Sequence, residues 1–523
     1  MIHETILMTK KIFYTSLVLL LCFNQSACAK KASSDPEPPA PPKTGATLYV
    51  SPSGNDSSKG TKEAPFRTIG FALTKANAGD TVWARGGTYH EKIRFPKSGR
   101  LDKFITLKAF PDENPIIDGT GLVISNEALV TISQVNYIRF EGFEVSNYKS
   151  SVPGIDVNGI VLNSGSSNIQ VVNNKVHHIE SNVTPENGRS GHGILVLGNT
   201  DVPMRNILIE GNEIHDCNTG YSENLTINGY VDGFIIRGNK VYNGENIGIV
   251  AAGGYAANTV PAYNYARNGL ITENEVFAID GTTGPIPAYA EFNGAIGIYV
   301  DGAQRITVER NKVYNSGRGI GIVSETDGFP TQDCIVRNNL VYNNALTGIY
   351  LGGYVNYTGA GTRNCYVVNN TLYQNNLTNG YFGEIEGEIR LTENCIDNVI
   401  QNNIIYARAN SVFVHKYPDT GGSGNRIDNN LYYSDGTAQW IWEDNTFSDF
   451  DDWKAGMDGD ASSTNGLDPL FMNKANYNLH IEASSPAKNT GAVISADING
   501  TVDKDGNPRI ISDKIDKGAY QLQ

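Results

Sequence analysis

Residues 297–314 read GIYVDGAQRITVERNKVY, and this stretch decides the fold. It holds two short runs of alternating character, Gly297-Ile-Tyr-Val and Ile306-Thr-Val-Glu, then Asn311 followed by Val313-Tyr314. Alternation with a period of two marks a half-buried strand. The pattern recurs. An Asn-x-(Val/Ile/Leu/Tyr)-(Tyr/His/Phe) motif begins at Asn174, Asn212, Asn239, Asn274, Asn311, Asn339, Asn370, Asn403 and Asn430. Before it stands a short strand, as at Ile169-Gln-Val-Val or Ile207-Leu-Ile-Glu. Further upstream comes another, usually opened by glycine: Gly193-Ile-Leu-Val, Gly248-Ile-Val-Ala, Gly348-Ile-Tyr-Leu. Each unit therefore has three short strands joined by turns. No unit can bury its own apolar face, so the units must stack.

Composition agrees. Of 523 residues 56 are glycine, and asparagine is as frequent. Helices disfavour both and turns favour both. This excludes a helical bundle or coiled coil and argues against an ordinary α/β enzyme. A charged fraction of 18% with 27 tyrosines belongs to an ordered chain. The net charge of −14 gives no basic footprint, so no nucleic-acid partner is expected. Capture of a polyanion by an acidic chain needs a metal or a local arginine cluster.

Residues 1–28 read as a targeting segment. Lys10-Lys11 precede the apolar run Ile12 to Phe23, and Gln25-Ser26-Ala27-Cys28 follow. A basic start, a short apolar core and small residues before a cysteine read as a bacterial lipoprotein signal, with Cys28 carrying the lipid. The expectation is an outer-membrane or cell-surface lipoprotein held only by that anchor. The alternative is plain secretion or periplasmic release by cleavage near Ala29. Residues 29–46 are a Pro-rich tether that cannot pack. The cysteines beyond the signal lack zinc-site spacing. Cys334 and Cys365 each lie four residues before an Asn-Asn pair and are expected to stack as buried thiols.

The residues three after each motif asparagine form a second column: His177, His215, Tyr242, Phe277, Tyr314, Tyr342, Tyr373, Tyr406 and Tyr433. This predicts aromatic stacking and makes His177 and His215 structural. Taken together, the repeats resemble the right-handed parallel β-helix of the pectin-lyase-like superfamily. The resemblance covers roughly residues 47–440. It implies an all-β solenoid of about ten to twelve coils over residues 47–445. Its asparagines bond the same turn of neighbouring coils. A short helix around Ile69–Ala76 plugs the first coil, and residues 446–523 form a capping segment. Uncapped parallel strands would aggregate.

In enzymes of that superfamily the substrate lies across the strand that the Gly-Ile-x-Val motif resembles. If Ile and Val point inward, the residues between them point outward. Polar outward residues gather at Tyr299, Asp301, Tyr350 and Arg390, with Gly321 as a notch between the tyrosines. Glu325 follows the intermediate strand, Glu388 precedes Arg390, and His192 stands at an earlier strand entrance. Loops 253–268, 280–294 and 352–363 border these coils. They carry Tyr255, Tyr263, Tyr265, Tyr289, Phe292, Tyr354 and Tyr357 as candidate sugar-stacking walls.

The resemblance implies a polysaccharide lyase or glycoside hydrolase acting as a monomer on a polysaccharide. The first expectation is β-elimination on a uronic-acid polysaccharide. Tyr299 or Tyr350 is then the base, its pKa lowered by an adjacent arginine. Arg390, or Ca²⁺ held by Asp301 and Glu325, neutralises the carboxylate. Lys240 and Lys312 fall in the Asn-Lys-Val turn on another face, and the compact Asp cluster of calcium-dependent pectate lyases is missing. The alternative is hydrolysis by paired carboxylates, Asp301 with Glu325 and Glu388 two coils on. A third reading is a non-catalytic glycan-binding lipoprotein.

Overall fold

A computed structural model describes residues 45–184, 187–289, 291–378, 386–418 and 421–523. The signal, Cys28 and nearly all of the tether lie outside the described residues. The described chain is a right-handed parallel β-helix whose coils feed three long sheets of 15, 13 and 13 strands. The first sheet carries the strands before the motif asparagines, from Ile169–Val172 to Arg426–Asp428 along the repeats. The second carries the strands after them, and the third carries the Gly-Ile-x-Val strands.

Register in the third sheet separates inside from outside. Ile249, Ile298, Ile320, Ile349 and Ile389 align on adjacent coils and are wholly buried. Val250, Tyr299, Gly321, Tyr350 and Arg390 align one step along and face outward. The outward column thus falls where alternation places it.

The nine motif asparagines form one unbroken ladder inside the corner between the first two sheets. The Asn311 side-chain oxygen accepts the Asn274 backbone N–H at 3.0 Å and the Asn274 amide at 2.9 Å. Its own amide donates to Asn339 Oδ1 at 3.0 Å and to the Ile271 carbonyl at 2.9 Å. At the first end Asn174 Oδ1 takes the Phe143 N–H, and at the last Ser463 Oγ takes the Asn430 N–H. Each amide satisfies backbone groups that a turn leaves buried and unpaired.

The aromatic column stacks from His177 through His215, Tyr242, Phe277 and Tyr314 to Tyr342, at centroid spacings of 4.9–5.0 Å. It breaks at Tyr373, because Tyr477 of the C-terminal segment occupies the next place on Tyr342 at 4.4 Å. Lys240 and Lys312 lie over this column, with Lys312 Nζ on Glu275 at 3.1 Å. Cys334 and Cys365 are buried free thiols on neighbouring coils, and the Cys334 N–H points to Cys365 Sγ at 3.4 Å.

A second, shorter ladder corrects one expectation. Asn344 bonds Asn375, and Asn375 bonds Glu388 through its backbone N–H (2.8 Å) and its amide (2.7 Å). Glu388 is wholly buried and burial raises its pKa to about 8. It ends an internal ladder and does not face a substrate.

The helix Ile69–Lys75 covers the first coil with Ile69, Ala72 and Leu73 buried, its start capped by Thr68. The far end is closed by the helix Phe450–Met457, whose Trp453 packs on Trp440. The rest of the C-terminal segment does more than cap. It returns along the ridge of Asn338, Asn369 and Asn402, left-handed residues with φ of 55°, 57° and 60°. Their amides donate to the carbonyls of Asn499, Asp516 and Ala492 at 3.0, 3.1 and 2.8 Å. Left-handed turns favour asparagine and aim its side chain outward here.

Candidate active site

The outer face of the third sheet is the floor of a groove, with walls from the loops at 253–268, 280–294 and 352–363. Two adjoining cavities of about 490 and 450 Å³ share Tyr289, Ile296, Tyr299, Glu325 and Tyr354. Carboxylates gather at one end and two arginines lie at the other.

At the acidic end Asp301 Oδ1 accepts the Glu325 N–H at 2.8 Å. The Tyr255 hydroxyl donates to Asp301 Oδ2 and lies 3.4 Å from Glu325 Oε2. Tyr299 Oη donates to Glu325 Oε1 at 2.8 Å. Glu223, two strands from Asp301 toward the N-terminus, completes the set. The Thr226 hydroxyl donates to its Oε2 at 2.7 Å, and His192 Nδ1 lies 2.9 Å from Thr226 Oγ1. Among the described residues lining this cavity none is Lys or Arg. Burial and then Glu325 raise the Glu223 pKa to about 7. Burial, Glu325 and Glu223 hold Asp301 well above the usual carboxylate range. Burial takes His192 down to about 4, so it is neutral at pH 7.

At the arginine end Arg318 and Arg390 share the buried carboxylate of Glu386, at 3.0 and 2.6 Å to Oε1. Burial alone would raise Glu386, but the two guanidinium groups hold it below its usual range. Arg318 lies over the Tyr350 ring at 5.6 Å and Arg390 over Tyr417 at 4.5 Å. Glu325 and Glu393 line the same cavity.

The groove brings together Tyr255, His192, Tyr299, Asp301, Glu325, Tyr350, Tyr354 and Arg390. Four other candidates lie elsewhere. Glu388 is internal. Tyr263 stacks on Tyr230 at 4.3 Å, and Tyr265 lies under Arg267 at 3.7 Å. The antiparallel bridge Gly253–Tyr265 turns that limb of the loop away from the groove. Tyr357 meets Tyr354 edge-on at 6.3 Å, outside the lining.

The notch at Gly321 is closed. The Tyr299 and Tyr350 rings lie 5.9 Å apart at 19°, and a Cβ on Gly321 would stand 2.6 Å from each. No sugar ring fits between them. Both phenols are pushed well above 10: Tyr299 by burial and then Glu325, Tyr350 by burial that outweighs Arg318. The expected depression of a tyrosine pKa by arginine is therefore reversed.

Alternation missed Glu223 and Arg318. Glu223, Ile247, Ile296 and Arg318 are register partners on successive coils, and three of them immediately precede the strand glycine. A Cβ on Gly248 would meet Val276 in the core, so two successive positions, Gly248 and Ile249, point inward. The residue before the glycine then emerges outward. That offset is the sequence signal for Arg318; Glu223 precedes the buried Asn224 instead and carries no such mark.

Calcium needs six to eight oxygen ligands. Here the Glu325 N–H and the Tyr255 hydroxyl donate to the two oxygens of Asp301, and Tyr299 donates to Glu325 Oε1, so three of the pair's four oxygens already accept a hydrogen bond. Among the described residues no group of three or more His, Cys, Asp or Glu is placed to hold a metal. The pair does not fit a calcium cradle.

Residues 48–384 match the family described as Pel9A-like, right handed beta helix region. The chain is 33% identical over 478 residues to the uncharacterized protein YwoF of Bacillus subtilis (strain 168), spanning 91% of this chain and 96% of that one. It is 29% identical over 220 residues to pectate lyase PEL9 of Emericella nidulans, or 39% of this chain and 49% of that one. Among solved structures, the GH136 lacto-N-biosidase from Eubacterium ramulus aligns with a TM-score of 0.49 at 15% identity, covering 73% and 68% of the two chains. With the family match over residues 48–384 and three sheets in continuous register, the chain belongs to the Pel9A-like right-handed β-helix family.

Proposed function

We propose that this protein hydrolyses glycosidic bonds of a complex polysaccharide lying across the third sheet. One observation carries the reading: Glu223, Asp301 and Glu325 share one buried end of the groove, with Glu223 and Asp301 biased toward the protonated form. Glycoside hydrolysis needs a carboxylic acid to protonate the leaving oxygen and a carboxylate on the other side of the bond. Glu325 accepts the Tyr299 hydroxyl at 2.8 Å and is assigned the second role. Tyr299 holds its carboxylate and Asp301 its backbone N–H, while Tyr255 holds Asp301.

The arginine pair supports a substrate that carries an anionic group, such as a uronic carboxylate, beyond the scissile bond. The same pair, with the pectate lyase among the relatives, supports a second reading in which a uronate is cut by β-elimination. In that case the base is not a tyrosine, since both phenols are held protonated. No step is routed through calcium.

Glu325→Gln should lower the release of reducing ends by about 10²–10⁴-fold, the usual contribution of an acid–base group, and Asp301→Asn, which disturbs only the partners that position Glu325, should lower it by less. Thermal melting should stay close to wild type, because both side chains lie outside the core. EDTA should leave turnover unchanged. Full activity in both variants would remove the chemistry from this groove.

A further inference from the structure

We infer that Glu223 is the proton donor of this site and that Thr226 and His192 are its positioning residues. The inference rests on the hydrolytic reading of the groove and names a role within it.

The three side chains form one directed chain across two coils. Glu223 opens the strand Glu223–Gly229, and Thr226 lies three residues along it. His192 comes from the preceding strand, Gly191–Gly198. A threonine hydroxyl has a single proton. Thr226 spends it on Glu223 Oε2 at 2.7 Å, so at 2.9 Å it can only accept from His192. His192 therefore carries its proton on Nδ1, the tautomer that orients the hydroxyl. Oε2 accepts that bond, which leaves the transferable proton on Oε1.

The surroundings keep that proton in place. Glu223 shares its cavity with His192 and Asp156 from the N-terminal side, and with Asp301 and Glu325 from the C-terminal side. Tyr221 lies just before it, and the loops bring in Tyr255, Tyr289 and Tyr354. Every ionised neighbour in this set is acidic. A neutral imidazole adds no positive charge that would strip the acid at pH 7, and burial keeps His192 neutral.

In the reaction the Oε1 proton passes to the glycosidic oxygen as its bond to the anomeric carbon breaks. The leaving sugar departs as an alcohol. The new Glu223 carboxylate keeps the Thr226 bond. Water adds its oxygen to the anomeric carbon, and its released proton passes to a carboxylate of the cluster, so one water is consumed.

The test is a carbon-13 NMR titration of protein labelled at glutamate carboxyls, with Glu223 assigned by its loss in Glu223→Gln. The wild-type midpoint should lie near 7. Thr226→Val removes a donor that favours the ionised form, so its midpoint should move to higher pH, and Thr226→Ser should restore it. His192→Phe should move it in the same direction by less. On any polysaccharide the protein cleaves, Glu223→Gln should lose about 10²–10⁴-fold in kcat. The alkaline limb of the wild-type rate profile should follow the titration and shift upward in Thr226→Val. A midpoint near the ordinary glutamate value, a midpoint unmoved by Thr226→Val, or full turnover in Glu223→Gln overturns the inference. An unsaturated product with the titrations and the Glu223→Gln loss as expected replaces hydrolysis with elimination. It retains Glu223 as donor, because the leaving oxygen needs a proton in either reaction.

Discussion

A tyrosine serves as a base only where its phenolate is favoured, and here burial and Glu325 oppose it at Tyr299. At Tyr350 burial overrides Arg318, whose guanidinium is already engaged by Glu386. Tyr350→Phe should therefore keep turnover within a few-fold of wild type, measured as initial rate on the preferred polysaccharide. A base role would instead make that loss about 10²–10⁴-fold. The period of two correctly sets Tyr299, Asp301, Tyr350 and Arg390 on the outer face. It does not reach Arg318, because the strand glycine shifts the alternation by one position, nor Glu223, where the buried Asn224 stands in the glycine's place. Nor could it show that Tyr299 and Tyr350 close over Gly321. That depends on how two rings settle across an empty position, which no local pattern records.

The asparagine ladder is the element most plainly written in the sequence, since one residue type at one turn of every coil is visible without any structure. Its energetic role follows from its geometry. Asn311→Ala removes partners from the Asn274 N–H and amide, the Ile271 carbonyl and Asn339 Oδ1, all of them buried. Each buried polar group left unsatisfied costs about 1–3 kcal/mol. Losses of partners along one ladder are not additive, so we expect about 2–5 kcal/mol in total. Urea denaturation should show an earlier transition, and an unchanged midpoint would contradict the role assigned to the ladder. Glu388 was not legible in this way. It ends a ladder of only two asparagines, Asn344 and Asn375, too short to announce itself as a repeat, and its place beside Arg390 suggested the groove instead.

At the scale of the whole molecule, the repeats make the solenoid readable, while the return of the C-terminal segment along the asparagine ridge is not. It depends on contacts such as Asn338 with Asn499, 161 residues apart. Among the described residues no helix is long and apolar enough to cross a membrane. We propose that attachment to a membrane runs through Cys28. We expect Cys28→Ala to release the protein from the membrane fraction of its host, and unchanged fractionation would contradict lipidation at Cys28. The groove, its carboxyl cluster and the family together point to cleavage of a glycan. The most direct measurement is incubation of the protein with a panel of uronic-acid and mixed polysaccharides, following reducing ends and unsaturated-product absorbance together. The account predicts new reducing ends without that absorbance, from a substrate bearing acidic sugars. Absorbance rising in step with the reducing ends would contradict hydrolysis, and binding without any product would contradict catalysis altogether.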